Sequence, residues 1–370
     1  MTLTMAGVVF DALGSIALRQ RPVPVPGDGE VLVRIAVTGI CGTDRAIVLG
    51  EFPASPGVIL GHEAAGEVVA LGTGVTYPAP GDRVVINPTS YCLHCRPCRR
   101  GQPAYCTEKA GREIGVDCDG TMTEYLAVHQ RYVHRLPTGL TFRAAALVEP
   151  LACVLNNLQC ADPRPDDQIV IIGAGPIGTL CAHVLLTQGA RVSMVERDAV
   201  RARLARDILA PAPLDSGAFA EDLGGCDRPD VVIDTTGVLL EQALEVVECG
   251  GTVVVMGERE GASASLALRS LVTRGISVRG AGPYAPADFE RALTLADTLD
   301  LDTLVTHVMP LDRHPEAFAL LGLTMSADPA PNDPAPSDPA TSDPAPNDPA
   351  PGRYQAMKVL LACDPGLAAQ

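Results

Sequence analysis

Short apolar runs separated by turn residues fill the first 140 positions. Apolar, valine-rich runs occur at 5–10, 31–37 and 67–70, with Pro-, Gly- and Asp-containing stretches between them. Runs of this length bounded by such stretches are typical of β-strands joined by hairpins. Because few helical periods interrupt them, we predict a small β-barrel, with further strand pattern at 81–86 and 121–133.

The pattern turns helical at 141–160 and then changes in kind at 169. From there apolar strands alternate with helical stretches, beginning IVIIGAG, PIGTLCAHVLLTQG and RVSMVE. Further strand patterns occur at 230–234, 251–256 and 276–279. Alternation of this kind predicts a parallel sheet covered by helices on both faces. After about residue 298, strand-like segments at 305–311 and 357–362 predict a return to the first domain.

Residues 328–351 carry Asp-Pro at a strict five-residue period. This segment has no apolar face, so it cannot bury a core. We predict an extended, mobile insert biased to polyproline II, in place of a tight turn before the closing strand. A solenoid is the alternative, but a five-residue period offers nothing to stack.

Composition narrows the class of protein. A chain of 370 residues favours two domains, and 47% hydrophobic with 19% charged residues is typical of a soluble globular protein. A net charge of −16 argues against a nucleic-acid partner, which requires a basic surface. Without a visible signal peptide or a long apolar span, we expect a cytoplasmic protein that has no membrane partner.

Four of the twelve cysteines form the most specific motif, with the spacing Cys92-x2-Cys95-x2-Cys98-x7-Cys106. Four thiolates this close in a loop predict a saturated structural zinc site. Free thiols are the alternative, and His94 inside the loop could compete as a ligand. Cys41 is discussed below. The other seven cysteines are predicted to pack in the core: Cys118, Cys153, Cys160, Cys181, Cys226, Cys249 and Cys363.

A glycine-rich fingerprint, Gly173-x-Gly175-x-x-Gly178, follows the strand IVII and begins a helical stretch. In this context it predicts a dinucleotide site, although a tight turn without a ligand is the alternative. Glu196 ends the next strand, where a carboxylate accepts ribose hydroxyls and favours NAD. Arg197 weakens that preference, so NADP stays open. The predicted cofactor site comprises Gly173, Gly175, Pro176, Ile177, Gly178, Glu196, Arg197 and Arg201.

Cys41, His62 and Glu149 supply a thiolate, an imidazole and a carboxylate, a mixed set suited to a catalytic zinc with an open position. Taken singly each is weak evidence, since a lone histidine is more often a core residue. The stretches CGTD, GHE, GDRV, the four-cysteine loop, VEPL and VIIGAGPIG nevertheless occur together in one order. In that order they resemble the zinc-dependent medium-chain alcohol/polyol dehydrogenase family.

The resemblance implies an α/β fold with two domains. A GroES-like β-barrel catalytic domain would comprise 1–154 and 299–370, with the insert 328–351, and a Rossmann domain would comprise 155–298. It also implies two zinc ions per chain, one catalytic and one structural. Family members form dimers or tetramers, so a homo-oligomer is expected.

By resemblance, Cys41, His62 and Glu149 hold the catalytic zinc, and Glu63 approaches it or supports its ligands. Asp44 would orient His62, and Thr43 would hydrogen-bond the substrate hydroxyl and pass its proton outward. The implied reaction interconverts a secondary alcohol and a ketone, with zinc as Lewis acid and hydride transfer to the nicotinamide.

Two departures from the family pattern bear on the substrate. Ala46 stands where many members have a relay histidine, and 152–157 (ACVLNN) lacks the histidine found after EPL in sorbitol and threonine dehydrogenases. Both resemble the aminocyclitol branch, the 2-deoxy-scyllo-inosamine dehydrogenases of antibiotic biosynthesis. Sorbitol- and threonine-type substrates stay open, as does a non-catalytic zinc-stabilised nucleotide-binding protein. A zinc-free quinone reductase is disfavoured by both ligand sets.

Overall fold

The computed structural model describes residues 3–210, 219–225, 228–324 and 354–369. The first part of the chain forms β1 Thr4–Ala12, β2 Ser15–Pro22, β3 Glu30–Gly39, α1 Gly42–Leu49, β4 Glu63–Leu71, β5 Arg83–Ile86, α2 Arg96–Arg99, β6 Tyr125–His129, β7 Val133–Arg135, α3 Phe142–Ala145 and α4 Val148–Ala161. The middle part forms β8 Gln168–Ile172, α5 Pro176–Thr187, β9 Arg191–Val195, α6 Ala199–Leu209, β10 Phe219–Ala220, β11 Val231–Asp234, α7 Leu240–Val246, β12 Thr252–Val255, α8 Leu268–Arg274, β13 Ser277–Gly280 and α9 Pro286–Ala296. The last part forms β14 Val305–Pro310, α10 His314–Leu320, β15 Lys358–Ala362 and α11 Pro365–Ala368.

A mixed, mostly antiparallel sheet of seven strands underlies the first unit. Its order is β14-β15-β3-β4-β5-β7, and β6 pairs with β3. The late strands β14 and β15 therefore join a sheet built mainly from the first 135 residues, as their strand-like sequence predicted. This arrangement brings Lys358, the first residue of β15, next to the end of β3 and the start of β4.

A parallel sheet of six strands forms the second unit, in the order β10-β9-β8-β11-β12-β13. The central strand β8 comes first in the chain, so the strand order reverses on either side of it. In sheets of this type the crevice at the carboxyl ends of the central strands is the ligand site. The predicted doubly wound arrangement is confirmed, and its crevice follows Ile172 and Asp234.

Helix α4 connects the two units. It begins immediately before Glu149, and most of its residues are buried in a core that continues from the first sheet to the second. The helix runs through the predicted domain boundary at 154/155, and the domain limits remain predictions. Its continuous packing fixes the position of Glu149 between the two units.

Some local predictions need correction. The predicted strand at 121–133 is broken, since β6 ends at His129 and a short helical turn precedes β7. The helical pattern at 141–160 forms two helices rather than one. Cys181 and Cys363 are buried as predicted, but Cys249 is exposed, so its assignment to the core is wrong.

The Asp-Pro segment predicted at 328–351 lies outside the described residues, as does Cys226. The residues on either side of the segment are joined, because Leu321 and Tyr354 form an antiparallel bridge and Gln355 N donates to Leu320 O at 2.9 Å. Among the described residues no helix has the length and apolarity that crossing a membrane requires.

Because the flanking residues already pair with each other, we expect deletion of 328–351, with a short joining turn, to change the free energy of unfolding by less than about 0.5 kcal/mol. Chemical denaturation of the two proteins measures this difference. A larger loss of stability or of turnover would show that the segment contributes to folding or to the site.

Candidate active site

The four cysteines of the loop lie together, as their spacing predicted. The Sγ atoms of Cys92, Cys95, Cys98 and Cys106 all lie within 4.8 Å of one another, close enough to bind one metal ion. The Sγ atoms of Cys92 and Cys98 are 4.0 Å apart, and those of Cys95 and Cys106 are 3.9 Å apart. Four sulfurs at the Zn–S distance in a tetrahedron are separated by about 3.8 Å, so the arrangement fits zinc.

Backbone amides surround these sulfurs. Cys95 N donates to Cys92 Sγ at 3.2 Å, and Cys92 N donates to Cys106 Sγ at 3.3 Å. A hydrogen bond from the backbone of Cys98 lowers the pKa of the Cys95 thiol to about 6, whereas burial raises the pKa of the Cys98 thiol to about 12. Donated amide hydrogen bonds stabilise thiolates, which are the form that binds metal.

A second group of possible ligands comprises Cys41, His62 and Glu63, whose ligand atoms lie within 4.8 Å of one another. Cys41 immediately precedes α1, and His62 and Glu63 stand at the start of β4. Gly61 has φ +93°, and a Cβ there would lie 2.7 Å from Met122 Cγ, so only glycine fits before His62.

The side chain of Asp44 joins the two segments that carry these ligands. One carboxylate oxygen accepts the Cys41 amide at 2.8 Å and the other accepts the Gly61 amide at 3.1 Å. Asp44 Oδ1 lies 3.8 Å from His62 Nδ1, beyond hydrogen-bonding distance. Asp44 therefore fixes the backbones on both sides of the site rather than bonding the imidazole directly.

The electrostatics of this group favour a cation. Burial acts to lower the pKa of the His62 imidazole, but the negative charges of Cys41 and Asp44 raise that pKa well above its ordinary value. His62 Nδ1 is buried without a hydrogen-bond partner among the described residues. A thiol, an imidazole and a carboxyl group in a field that attracts positive charge fit a zinc ion.

Glu149 lies near this group but outside it. The group of ligand atoms that lie within 4.8 Å of one another takes its carboxylate from Glu63 and does not include Glu149. Glu149 is 8% exposed, and burial raises the pKa of its carboxyl group to about 7, although the nearby His62 acts to lower it. Glu149 therefore lies close enough to interact electrostatically with His62, whereas Glu63 is the carboxylate grouped with Cys41.

The predicted cofactor loop has the geometry that a dinucleotide requires. Gly173 has φ +95°, and a Cβ at Gly178 would collide with Gly173 O. Gly175 is the N-cap of α5, directly before Pro176, and a Cβ added at Gly175 would meet no atom within 4 Å. An open approach to a helix N-terminus of twelve residues suits a pyrophosphate.

The charged residues Glu196 and Arg201 beside this loop already contact other groups of the protein. Glu196 accepts the amides of Ala174 at 2.9 Å and Asp198 at 2.8 Å, one on each oxygen. Each carboxylate oxygen retains a lone pair for a ribose hydroxyl. Arg201 does not point into open space: its guanidinium lies 3.2 Å from the centroid of the Tyr354 ring. Ile177 packs against the core.

Comparison with known proteins agrees with this geometry. Residues 27–138 match the family described as "Alcohol dehydrogenase GroES-like domain", and residues 176–298 match "Zinc-binding dehydrogenase". A sorbitol dehydrogenase of Halalkalibacterium halodurans is 31% identical over 317 residues, covering 82% of this chain and 92% of that protein. The chain belongs to the zinc-dependent alcohol dehydrogenase family.

Two further matches extend the comparison. The L-galactonate-5-dehydrogenase of Escherichia coli K12 is 32% identical over 336 residues, which is 88% of this chain and 95% of that one. The crystal structure of a zinc-binding dehydrogenase of Sinorhizobium meliloti 1021 bound to NADP superposes with a TM-score of 0.78 at 28% identity, covering 97% and 99% of the two chains. As an enzyme of this family, the protein uses zinc and a nicotinamide cofactor, and the predicted GroES-like and Rossmann domains are confirmed.

The sequence did not single out Lys358 as a site residue. It is 2% exposed, and its Nζ donates to Ile40 O at 3.1 Å and pairs with the Glu63 carboxylate. Burial acts to lower the pKa of Lys358, but Glu63 and Cys41 raise it above its ordinary value. The signal was present, since this is one of two lysines in the chain and opens an apolar strand.

Two more residues near the site were missed. Cys153 was assigned to the core, but its pKa, raised mainly by burial, is also raised by the charges of Glu149 and Cys41. Tyr284, from the segment before α9, donates to Asn87 Oδ1 at 3.2 Å, and burial together with the charge of Glu149 raises its pKa well above the ordinary value. The spacing along α4 could have found Cys153, which lies one helical turn after Glu149. No local pattern marks Tyr284, which reaches the site through long-range packing.

Replacing Cys98 with serine should remove one of the two zinc ions and lower the thermal unfolding midpoint by about 5 °C or more, because the loop depends on the metal for its stability. Atomic absorption and calorimetry measure the two effects. Cys249→Ser, at an exposed position away from both ligand groups, is the matched control. Retention of both zinc ions in Cys98→Ser would contradict the four-cysteine assignment.

Replacing Lys358 with methionine should destabilise the protein by about 3–5 kcal/mol, because the Glu63 carboxylate would remain buried without its cationic partner. Lys358→Arg retains the charge and should lose much less. Denaturant unfolding of both variants, each loaded with zinc, provides the comparison. Equal losses in the two variants would show that shape rather than charge matters at this position.

Proposed function

We propose that this dehydrogenase interconverts a secondary alcohol and a ketone on a polar, polyhydroxylated small molecule with NAD(H). The observation that carries the proposal is the group of Cys41, His62 and Glu63, with the Thr43 hydroxyl oxygen 3.7 Å from Cys41 Sγ. A hydroxyl so close to a predicted metal ligand can hydrogen-bond a substrate oxygen at the same place.

In this proposal Cys41 and His62 hold the catalytic zinc, together with Glu63 or Glu149. The zinc supplies Lewis-acid stabilisation of negative charge on the substrate oxygen. Thr43 orients the reacting hydroxyl and receives its proton. Lys358 pairs with the Glu63 carboxylate and fixes it beside the site. Ala46 has no group that could pass the proton on, so water or a ribose hydroxyl would carry it outward.

The nature of the substrate follows from two different arguments. The sorbitol and L-galactonate dehydrogenases, both similar over most of their length, are named for polyhydroxylated substrates and support a polyol. The second candidate, an aminocyclitol of the 2-deoxy-scyllo-inosamine type, is favoured by Ala46 and by the absence of histidine from 152–157. A β-hydroxy amino acid of the threonine type is the third class to test.

The nicotinamide form is proposed to be NAD. Glu196 presents a carboxylate at the end of β9, where it would repel a 2′-phosphate. Arg197 follows it and is exposed, which keeps NADP as the alternative to be measured.

A panel of linear polyols, aminocyclitols and β-hydroxy amino acids with NAD and NADP, followed by nicotinamide absorbance, tests the proposal. We expect turnover with a polyol or an aminocyclitol. Cys41→Ser should lose one of the two zinc ions, and its turnover should fall by at least about a hundredfold. Cys249→Ser should retain activity. A wild-type protein with one zinc ion and no hydride transfer to any compound would instead favour a non-catalytic nucleotide-binding role.

A further inference from the structure

A stacked pair of side chains, Arg201 and Tyr354, joins the two units beside the predicted cofactor loop. Arg201 belongs to the first turn of α6 in the nucleotide-binding unit, and its guanidinium carbon lies 3.2 Å from the centroid of the Tyr354 ring. Tyr354 comes from the segment that leads into β15 of the other sheet, where it bridges Leu321. Both stacked residues are half-buried. The contact is a cation–π stack, in which the ring attracts the positive charge.

A short series of hydrogen bonds places Arg201 at the ribose end of the predicted cofactor site. The Glu196 carboxylate accepts the amide of Ala174, in the glycine-rich loop, and the amide of Asp198. Asp198 caps α6, and its Oδ1 accepts the Arg201 amide at 2.9 Å. Side chains of a helix lean toward its N-terminus, so the Arg201 side chain extends toward the end of α6 that follows Glu196. Arg201 and Glu196 therefore flank the position at which the ribose of a dinucleotide is expected.

The segment that carries Tyr354 contacts the other helix of the cofactor site as well. Met357, three residues later, is 1% exposed, and its sulfur lies 3.7 Å from the Thr179 hydroxyl oxygen of α5. The Thr179 hydroxyl donates to Ala174 O in the glycine-rich loop at 3.3 Å. Residues 354–357 thus pass along the N-terminal turns of both α5 and α6. The position of the Tyr354 ring is set by this packing and by the catalytic sheet, independently of Arg201.

The stack leaves the hydrogen-bond donors of Arg201 available. Among the described residues its guanidinium has no hydrogen bond or ion pair, and its contact is with the face of the Tyr354 ring. The five N–H donors lie in the plane of the guanidinium, so a ring against its face does not occupy them. A phosphate accepts two such donors at once. A guanidinium held in place with its donors available is preorganised to bind an anion.

We propose that Tyr354 is a positioning residue for the adenosine end of the cofactor, whose ring holds Arg201 where the guanidinium can bind a phosphate on the 2′-carbon of the ribose. The stack thereby limits the preference for NAD that the Glu196 carboxylate imposes, and it lets the protein bind NADP as well. A guanidinium interacts more strongly with a phosphate than with a hydroxyl, so the effect of the stack depends on which dinucleotide binds. The inference rests on the proposed cofactor site at Glu196 and Arg201.

Nucleotide binding to the zinc-loaded protein tests this role, because the fluorescence of NADH and NADPH reports their Kd without turnover. In Tyr354→Leu the guanidinium loses the ring that fixes its position. We expect the Kd of NADPH to rise about five- to tenfold and that of NADH to rise less than about twofold. Tyr354→Phe keeps the ring and should match the wild type in both measurements. Equal changes in the two Kd values of Tyr354→Leu, or a wild-type protein that does not bind NADPH, would overturn the proposal.

A second stack on the same helix provides the matched control. Arg206, in the last turn of α6, lies over the Phe219 ring with its guanidinium carbon 4.6 Å from the centroid. Phe219→Leu removes this ring at the other end of the helix and should leave both Kd values unchanged. If Phe219→Leu raised the Kd of NADPH as much as Tyr354→Leu does, the cause would be the stability of α6, and the proposal would be wrong.

Arg201→Ala separates the role of Tyr354 from the assignment of the site. We expect this variant to weaken NADPH binding at least as much as Tyr354→Leu, and Tyr354→Leu to add nothing in the Arg201→Ala background. Additive losses would show that Tyr354 acts without Arg201, which refutes the proposal. If Arg201→Ala weakens NADPH binding and Tyr354→Leu does not, only the role of Tyr354 is refuted. If Arg201→Ala changes neither Kd, the ribose does not lie beside α6, and the proposed cofactor site is wrong as well.

Discussion

The buried carboxylate of Asp44 is the constraint on which the metal group depends. Its two oxygens accept the amides of Cys41 and Gly61, so it ties the start of α1 to the residue before His62. Charge-assisted hydrogen bonds from backbone amides are among the stronger ones available in a protein interior. Cys41 lies two residues beyond the end of β3, and His62 directly precedes β4, whose first residue Glu63 pairs with Gly39 of β3. Asp44 adds to this strand pairing a direct connection between the backbones of Cys41 and Gly61.

Charge balance at the site is the second constraint. The buried Asp44, Glu63 and Glu149 and the partly buried Cys41 place up to four negative charges in one region, where water screens them poorly. Lys358 and His62 supply the compensating positive charge within the chain, and a bound divalent ion adds to it. The contribution of Lys358 requires β15 to pair with β3, so the last strand of the sheet completes the electrostatics of a site that begins near residue 41.

Local spacing and strand–helix alternation were enough to predict the four-cysteine loop, the glycine fingerprint and the parallel sheet. In each case the residues involved are close in sequence, so backbone geometry determines their arrangement. The relation between Glu63 and Glu149 was not predictable, because it depends on how α4 packs between two sheets. Lys358 and Tyr284 were missed for the same reason: each reaches the site from a distant segment. Asp44 was expected to orient His62, but its Oδ1 lies 3.8 Å from His62 Nδ1, and it instead accepts the backbone amides of Cys41 and Gly61.

The two lysines of the chain occupy opposite environments. Lys358 is enclosed beside Glu63, whereas Lys109 lies in the cysteine-rich loop, with its side chain 30% exposed in a pair with Glu113. The remaining basic residues are arginines, which do not react with amine-directed reagents under mild conditions. Apart from the terminal amine, acylation of the native protein is therefore directed to a single point beside the structural zinc. An immobilised enzyme could be anchored there while its buried lysine stays unmodified, and modification of that second lysine would then report loss of the native fold.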